Sequence, residues 1–337
     1  MDSSRYSRQM LFAPIGENGQ QRLSASSALV VGAGALGTVI GNHLVRAGIG
    51  KIRLIDRDYV ELSNLQRQMM FDEEDVRQVL PKAVAAKHKL EKINSEVVVE
   101  AIVGNVTVDN IDELLNDVDV VLDGTDNFST RFLLNDACFK YQVPFSYGGI
   151  VSSRGLTAFF VPQKTSCLRC ITKEGAGNGQ TCDTVGVISP AVDMISSFQV
   201  TETLKYLTGN EQALRNTLKT IDVWYNRDYD MKLNMSDVDC PTCRQHKFPA
   251  LQKNANDEET VLCGRDTVQI HRKSSISLEQ WEVQFAKVAS VKRTPFLLKA
   301  SFPEGIHFVM FKDGRVLVKG TEDRVQARTW YDRYIGS

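Results

Sequence analysis

The sequence lacks the features that mark membrane, secreted and nucleic-acid-binding proteins. No stretch of its 337 residues approaches the roughly 18 consecutive apolar residues that a membrane helix needs. Residues 1–10 are polar and have no apolar core, so they do not resemble a secretory signal. The chain carries 40 Lys and Arg against 41 Asp and Glu, without the basic excess typical of nucleic-acid binders. We therefore expect a cytoplasmic protein that binds neither membranes nor nucleic acid.

Cysteine is sparse, and the spacing of the seven cysteines argues against a disulfide framework. Four of them form two Cys-x-x-Cys pairs, Cys167 with Cys170 and Cys240 with Cys243. Each such turn offers two thiolates to one tetrahedral ion, so two turns complete the coordination of a structural zinc. Reduced or redox-active thiols are the alternative interpretation.

Apolar periodicity predicts an α/β fold. Short apolar runs at 28–31, 52–55 and 118–122 read as buried strands. Between the first two, apolar residues recur every three or four positions, as on a buried helix face: Leu36, Ile40, Leu44 and Ala47. A second helix follows Pro81. This alternation predicts a doubly wound, mainly parallel sheet that binds ligands at the carboxyl ends of its strands.

Polar residues near position 254 indicate a domain boundary. We expect an ATP-binding domain over 1–250, a linker over 251–260, and a small α+β domain over 261–337. The elements predicted for that small domain are strands at 268–270 and 296–300, helices at 278–288 and 324–334, and a hairpin over 308–318.

A GxGxxG turn follows the first predicted strand. Gly32, Gly34 and Gly37 would let the backbone approach a phosphate at the N-terminus of a helix. Asp56 ends the next strand, where a carboxylate can accept hydrogen bonds from ribose hydroxyls. These features alone would suggest an NAD-dependent oxidoreductase, and a glycine turn that only packs is the plainer alternative.

Basic and amide side chains beyond Asp56 favour a triphosphate instead. Residues 56–68 are rich in carboxylates and amides and include Arg67, and Lys82 lies in the first turn of the helix after Pro81. Asp126 follows the third strand and is a carboxylate able to hold Mg²⁺. These groups have no evident task in hydride transfer, although Arg67 and Lys82 as solvated charges, or Asp126 as a helix cap, are the alternatives.

At these positions the chain resembles the MoeB/ThiF family, bacterial relatives of the ubiquitin-activating enzymes. The resemblance spans about residues 1–245 and depends on residues 5–9, the glycine turn, residues 56–68, Pro81-Lys82, residues 124–127, and Gly186-Val187 with Pro190. One departure is Val79-Leu80, where many relatives carry Gly-Gln; the loop's approach to ATP is expected to differ slightly there.

The resemblance implies a role for each matching residue. Asp56 would hold the ribose, and Asn64, Arg67 and Lys82 would contact the phosphates. Asp126 would hold Mg²⁺, and Arg8 would reach the phosphates of the neighbouring subunit of a homodimer. The other positions expected to bind the nucleotide are the three glycines, Asp58, Gln68 and Asn127. The family's zinc would be held by the four paired cysteines.

The implied activity is ATP-dependent adenylylation of the C-terminal Gly-Gly carboxylate of a small ubiquitin-like sulfur carrier. The products would be an acyl-adenylate and pyrophosphate, for molybdopterin or thiamin biosynthesis. Overall resemblance slightly favours a MoaD-type carrier over a ThiS-type carrier. A cysteine desulfurase or rhodanese would donate the sulfur. A catalytically silent adaptor for ubiquitin-like proteins is the second alternative to the enzyme.

The three remaining cysteines have less definite interpretations. In the family, the position of Cys182 can carry a thiol that takes up the activated carboxyl group or its sulfur; a packing role is equally compatible with the sequence. Cys138 and Cys263 are expected to pack. A rhodanese-like role for Cys263 is disfavoured, because it precedes the first strand of the small domain.

Overall fold

The computed structural model describes residues 4–172, 185–233, 239–252, 259–262, 266–271 and 275–336. The chain forms two compact units, one of Met1–Arg77 with Pro81–Lys253 and one of Gln78–Leu80 with Asn254–Ser337. Within the described ranges, no helix combines the length and the apolar character needed to cross a membrane.

The first unit is built on an eight-stranded sheet with the spatial order β3-β2-β1-β4-β5-β6-β7-β8. Its strands are β1 (Ser27–Val31), β2 (Lys51–Asp56), β3 (Val98–Val103), β4 (Val120–Asp123), β5 (Phe145–Val151), β6 (Arg154–Phe160), β7 (Thr217–Asp222) and β8 (Arg227–Lys232). The pairs from β3 to β5 are parallel, and those from β5 to β8 are antiparallel. The predicted α/β fold is confirmed, with an antiparallel extension at one edge.

Helices cover both faces of this sheet. In the described residues they are α1 (Ser7–Met10), α2 (Gly16–Ala25), α3 (Ala35–Ala47), α4 (Glu73–Gln78), α5 (Lys82–Ile93), α6 (Ile111–Leu114), α7 (Phe128–Tyr141), α8 (Leu168–Ile171) and α9 (Ser189–Leu207). From β1, Leu29 and Val31 join the core that contains Phe132 of α7. Val30 points the other way, toward Gly37 of α3. The sheet is therefore doubly wound, as the alternation of elements predicted.

Local signals fix the helix that follows the glycine turn. All four apolar positions predicted for its buried face are indeed buried. The helix ends at Gly48, whose φ of 83° is in the left-handed region that glycine adopts without strain.

The hairpin of β7 and β8 was not predicted. All six residues of β8 are exposed at the edge of the sheet, so no apolar alternation marks this strand.

The second unit contains a six-stranded antiparallel sheet with the order β11-β12-β13-β14-β10-β9. The strands are β9 (Glu259–Leu262), β10 (Thr267–His271), β11 (Ser290–Arg293), β12 (Leu297–Ser301), β13 (His307–Phe311) and β14 (Arg315–Lys319). Helices α10 (Leu278–Phe285) and α11 (Arg324–Tyr334) contribute Phe285 and Tyr331 to one core with Val268 and Phe308.

Two boundaries in this unit differ from the sequence prediction. Residues 259 and 260, expected in the linker, belong to β9, which pairs with β10. The helix expected over 278–288 ends at Phe285, and Val288 beyond it is exposed. Residues 253–258 of the expected linker lie outside the described ranges.

Candidate nucleotide site and cysteine cluster

Three glycines bring backbone against backbone at the carboxyl ends of β1 and β4. A Cβ atom added to Gly37 would lie 1.8 Å from the carbonyl oxygen of Gly32, and one added to Gly124 would lie 2.5 Å from the same oxygen. Gly32 itself has a φ of 90°, which side chains disfavour. The turn therefore needs glycine at all three positions. Sequence reasoning had assigned no role to Gly124.

Gly34 is different, because it faces open space. A Cβ atom added there would meet only the Nε2 atom of Gln68, at 3.9 Å. Gln68 is 4% exposed, and its Oε1 atom has no hydrogen-bond partner within the described part of the chain. The N-terminus of α3 follows directly, where free N–H groups and the helix dipole favour an anion. The buried amide of Gln68 and a helix end that favours anions thus lie beside the same glycine.

The carboxylate of Asp56 lies beside the glycine turn. The register of the parallel strands aligns Val31 with Ile55, so the ends of β1 and β2 are neighbours. One oxygen of Asp56 accepts a hydrogen bond from the N–H of Ala33 at 2.7 Å, and the other accepts one from Asp58 at 2.7 Å. Burial raises the pKa of Asp56, and the nearby charge of Lys82 acts in the opposite direction. The carboxylate is thus held rigidly between turn and loop.

Lys82 lies close to the same loop. Its backbone N–H donates to the carbonyl oxygen of Asp58 at 2.9 Å, and its Nζ atom is 3.4 Å from the Asp58 carboxylate. The residue is only 4% exposed. The alternative that Lys82 is a solvated surface charge is therefore wrong. Buried Asp56 and Lys82 and half-buried Asp58 form one charged group at the carboxyl end of β2.

At Val79, where the family resemblance leads us to expect glycine, the backbone has a conformation typical of glycine. Val79 has a φ of 53°, a left-handed conformation that is strained for a β-branched residue. Such backbone strain costs on the order of 1–3 kcal/mol. Val79 therefore holds a backbone conformation that a glycine would adopt without strain.

A tight loop places the amide and arginine residues. Asn64 is buried, and its Oδ1 atom accepts a hydrogen bond from the N–H of Glu61 at 3.1 Å. The next turn continues with the N–H of Gln68 donating to the Asn64 carbonyl at 2.9 Å. Arg67 is partly exposed and donates to the carbonyl oxygen of Ser63 at 2.9 Å. Asn64 thus has a loop-closing role in addition to any contact with a ligand.

Asp126 and Asn127 follow β4, next to the glycine turn. Asp126 is exposed, and its carboxylate lies 3.5 Å from the amide of Asn127. Asn127 is the N-cap of α7, with its side chain accepting from the N–H of Thr130 at 2.9 Å. The capping role considered for Asp126 thus belongs to its neighbour. The Asp126 carboxylate is exposed at this edge.

A buried ion pair beneath this loop escaped sequence reasoning. Arg131 donates to the carboxylate of Asp123 at 3.0 Å, and both side chains are buried. The same guanidinium donates to the carbonyl oxygens of Thr125 at 2.7 Å and Gly148 at 3.0 Å. Burial raises the pKa of Asp123, which the charge of Arg131 partly offsets. This pair ties the end of β4 and the Thr125 loop to β5.

The segment around Arg8 is anchored at the far end of α3. The Nε2 atom of Gln9 donates to the carbonyl oxygen of Ala47 at 2.9 Å, and Tyr6 accepts a hydrogen bond from Asn94 at 2.7 Å. Arg8 itself is exposed. Because α3 has 13 residues, its two ends are about 20 Å apart. The structure therefore does not bring Arg8 to the glycine turn of its own chain.

The four paired cysteines converge on one point. The Sγ atoms are 3.5 Å apart for Cys167 and Cys240, 3.4 Å for Cys170 and Cys243, and 4.0 Å for Cys167 and Cys170. All four lie within 4.8 Å of one another. A tetrahedral ion with Zn–S bonds of about 2.3 Å separates its sulfurs by about 3.8 Å, whereas disulfide sulfurs lie about 2.05 Å apart. The cluster therefore fits a tetrahedral metal ion and not a pair of disulfides.

Of the remaining cysteines, the structure describes only Cys138. It is fully buried in α7, and burial raises the pKa of its thiol well above the ordinary value. A packing role fits this environment. Cys182 and Cys263 lie outside the described residues, so their roles remain predictions. His246, three residues after Cys243, is exposed.

Comparison with known proteins identifies the family. The model of the ThiF family matches residues 6–242. The sulfur carrier protein ThiS adenylyltransferase of Bacillus subtilis (strain 168) is 44% identical over 340 residues, which cover 99% of this chain and 100% of that protein. The adenylyltransferase and sulfurtransferase MOCS3 of Anopheles gambiae is 35% identical over 77% of this chain and 58% of its own length.

Solved structures support the fold. The crystal structure of E. coli MccB with ATP superposes with a TM-score of 0.62 at 24% identity, over 71% of this chain and 74% of that chain. At this level of identity the similarity establishes the fold alone. Together with the match over residues 6–242 and the full-length relative, it leads to one conclusion. The chain belongs to the ThiF family.

Proposed function

We propose that this protein is an ATP-dependent adenylyltransferase for the C-terminal Gly-Gly carboxylate of a small ubiquitin-like sulfur carrier. The observation that carries the proposal is the 44% identity, over the full length of both chains, with a protein named as a ThiS adenylyltransferase. This similarity favours a ThiS-type carrier, and thus thiamin biosynthesis, over the MoaD-type carrier that overall resemblance slightly favoured.

The chemical problem is electrostatic. A carboxylate near pH 7 is already ionised and needs no general base, but it must approach the α-phosphate of a polyanion. Lys82 and Arg67 would compensate the phosphate charge and fix the line of attack, and Asp56 would orient the ribose. Attack forms the bond between carboxylate oxygen and α-phosphorus while the bond to pyrophosphate breaks. The products are the acyl-adenylate and pyrophosphate.

A divalent cation fits the exposed oxygen donor at the end of β4. Asp126 is a hard carboxylate ligand of the kind that Mg²⁺ prefers, and it stands beside the anion-binding end of α3. Bound there, Mg²⁺ would neutralise phosphate charge. Asn127 would support this ligand through its amide contact and its cap on α7.

Arg8 would act across a homodimer interface. Its anchor near Ala47 is about 20 Å from the glycine turn at the other end of α3, beyond the reach of an arginine side chain. Leu11 and Phe12, just after Arg8, are 73% and 59% exposed. Adjacent exposed apolar side chains are typical of a protein interface. A second copy covering them would bring its own glycine turn to Arg8.

The cysteine cluster would hold a structural zinc. Four thiolates fill a tetrahedral shell and leave no position for water, so the ion would cross-link two segments of the chain and take no part in the reaction. Downstream, a cysteine desulfurase or rhodanese would supply sulfur to the adenylated carrier. Cys182 would be a candidate thiol for that later transfer.

Pyrophosphate release tests the proposal. Purified protein and Mg·ATP are incubated together in parallel reactions. Each reaction contains one carrier: a ThiS-type carrier, a MoaD-type carrier, or either carrier without its terminal glycine. We expect release with the intact ThiS-type carrier and none with truncated carriers. Asp126→Ala should abolish release, whereas Asp112→Ala, which removes an exposed aspartate from α6, should not.

The same assay, combined with titrations of NADH and of the carrier, separates the competing functions. Wild-type turnover by Asp126→Ala would refute the assignment of that residue. NADH binding without pyrophosphate release would support an oxidoreductase. Carrier binding without turnover would support an adaptor. A faster reaction with the MoaD-type carrier would reverse the carrier assignment while leaving the chemistry intact.

A further inference from the structure

Asp136 is a fully buried carboxylate that the proposed reaction does not use. It lies in α7, and both of its oxygens accept hydrogen bonds. Arg169 donates to them from Nε at 2.9 Å and from Nη2 at 2.8 Å. Thr242 Oγ1 donates at 2.7 Å and the backbone N–H of Ala250 at 2.8 Å. A buried charge with this many donors is compensated and held in one orientation.

Two of these donors occupy equivalent positions in the two cysteine turns. Arg169 immediately precedes Cys170, and Thr242 immediately precedes Cys243. Each turn therefore presents its third residue to the same carboxylate. Because a tetrahedral ion needs all four sulfurs at once, a shared anchor of this kind fixes the spacing between the two turns. The turns are otherwise 70 residues apart in sequence.

The residue before Asp136 reinforces the arrangement. The Oδ1 atom of Asn135 accepts a hydrogen bond from the N–H of Leu168 at 2.9 Å, just after Cys167. The guanidinium of Arg169 also lies over the ring of Phe132, 4.6 Å from its centroid. One face of α7 thus packs against the first cysteine turn.

We propose that Asp136 is the outer positioning residue of the metal site, and that it sets the separation of the two cysteine turns before the ion binds. This inference rests on the proposed zinc site but not on the adenylation reaction. Outer residues that orient metal ligands typically change metal affinity about 10- to 100-fold when they are substituted. Asp136→Asn keeps the shape of the side chain but loses one of its two acceptor oxygens, each of which accepts from at least two donors.

The test measures zinc directly. Zinc-loaded wild-type protein and Asp136→Asn are mixed with an excess of a chromophoric zinc chelator, and the rate of zinc transfer and the competition affinity are recorded. We expect zinc affinity to fall about 10- to 100-fold in Asp136→Asn. Thr242→Val, which removes one donor from one turn, should give a smaller change in the same direction and serves if Asp136→Asn does not fold.

Asp123→Asn is the matched control. Asp123 is also fully buried and paired with an arginine, Arg131, but makes no hydrogen bond to either cysteine turn among the described residues. We expect this variant to unfold more easily yet to release zinc at the wild-type rate.

Three results would overturn the proposal. The first is wild-type zinc release from both Asp136→Asn and Thr242→Val. The second is equal acceleration in Asp123→Asn, which would indicate general destabilisation. The third is wild-type protein without zinc. None of these results alters the pyrophosphate assay, so a failure here and a failure of the proposed adenylation are distinguishable.

Discussion

The cysteine cluster differs in side-chain burial from the nucleotide edge, by which we mean the glycine turn with Asp56, Gln68, Lys82 and Asp126. At the cluster, three of the four cysteines are buried, and the anchoring carboxylate of Asp136 has donors on both oxygens. At the nucleotide edge the backbone is equally fixed, but Asp126 and Arg8 are exposed and Gln68 keeps a buried oxygen without a partner in the described chain. The cluster is thus mostly enclosed by the residues that support it, whereas the nucleotide edge presents charged side chains to solvent.

The largest effect should come from breaking the cluster itself. Cys240→Ser removes one of four thiolates, and we expect zinc content to fall from about one ion per chain and the free energy of unfolding to drop with it. Apparent zinc-binding free energies reach about 10–16 kcal/mol in zinc-finger peptides, so the loss should exceed that of any other substitution considered. Elemental analysis and chemical denaturation measure both quantities.

Cys138→Ala provides the comparison for that variant. Cys138 is fully buried but lies outside the cluster, so the change should leave the zinc content intact. Undamaged wild-type protein that contains no zinc would defeat the metal assignment.

The nucleotide edge is tested next by removing its buried cation. Lys82→Ala should slow carrier-dependent pyrophosphate release about 100- to 1,000-fold, or about 2.7–4 kcal/mol in the barrier, by analogy with the loss of one preorganised donor. Lys87→Ala is the control on the same helix, because the Lys87 side chain is 39% exposed and pairs with Glu91 across one turn. Such surface pairs contribute about 0–1 kcal/mol, so this variant should retain wild-type activity. Equal rates for the two variants would remove Lys82 from the site.

A third change tests whether the nucleotide turn is as rigid as the cluster. Gly37→Ala would place a Cβ atom 1.8 Å from the Gly32 carbonyl oxygen, a backbone atom that cannot move aside cheaply. We expect a cost near the upper end of the usual range for overpacking, about 3 kcal/mol, together with weaker ATP binding. Gly104→Ala meets no heavy atom within 4 Å and should be nearly neutral. Similar unfolding midpoints for both variants would show that the turn is pliable.

The smallest effect concerns pH. Burial raises the pKa of Asp56 above its ordinary value of 3.8, so the folded state holds this proton more tightly than the unfolded state. Stability contributed by Asp56 is therefore highest at acid pH and falls as the pH rises from 3.8 through the raised pKa. Asp56→Asn does not titrate and should lose less stability than wild type between these limits. A steeper decline in the variant would contradict the shift.

Local patterns in the sequence predicted the elements that short-range chemistry determines. The glycine turn, the buried face of α3 and the two cysteine turns each depend on residues a few positions apart, and each is found in the structure. The fold class followed from the order of these elements. The hairpin of β7 and β8 was missed because β8 has no buried face.

The residues that support the two sites could not be predicted, because their partners are distant in sequence. Asp136 accepts a hydrogen bond from Thr242, 106 residues away. Arg131 of α7 donates one to the carbonyl oxygen of Gly148 in β5, 17 residues away. One signal was available: Asn135 and Asp136 interrupt an otherwise apolar stretch of α7, and a carboxylate there requires a buried partner. The identity of that partner depended on the tertiary fold.

The most direct measurement of the central claim is the mass of the carrier protein after incubation. A ThiS-type carrier mixed with this protein and Mg·ATP, without a sulfur donor, should gain one adenylyl group at its terminal glycine. The gain should disappear when ATP is omitted or the terminal glycine is removed. A carrier whose mass stays unchanged under conditions where the protein is folded and binds ATP would contradict the account.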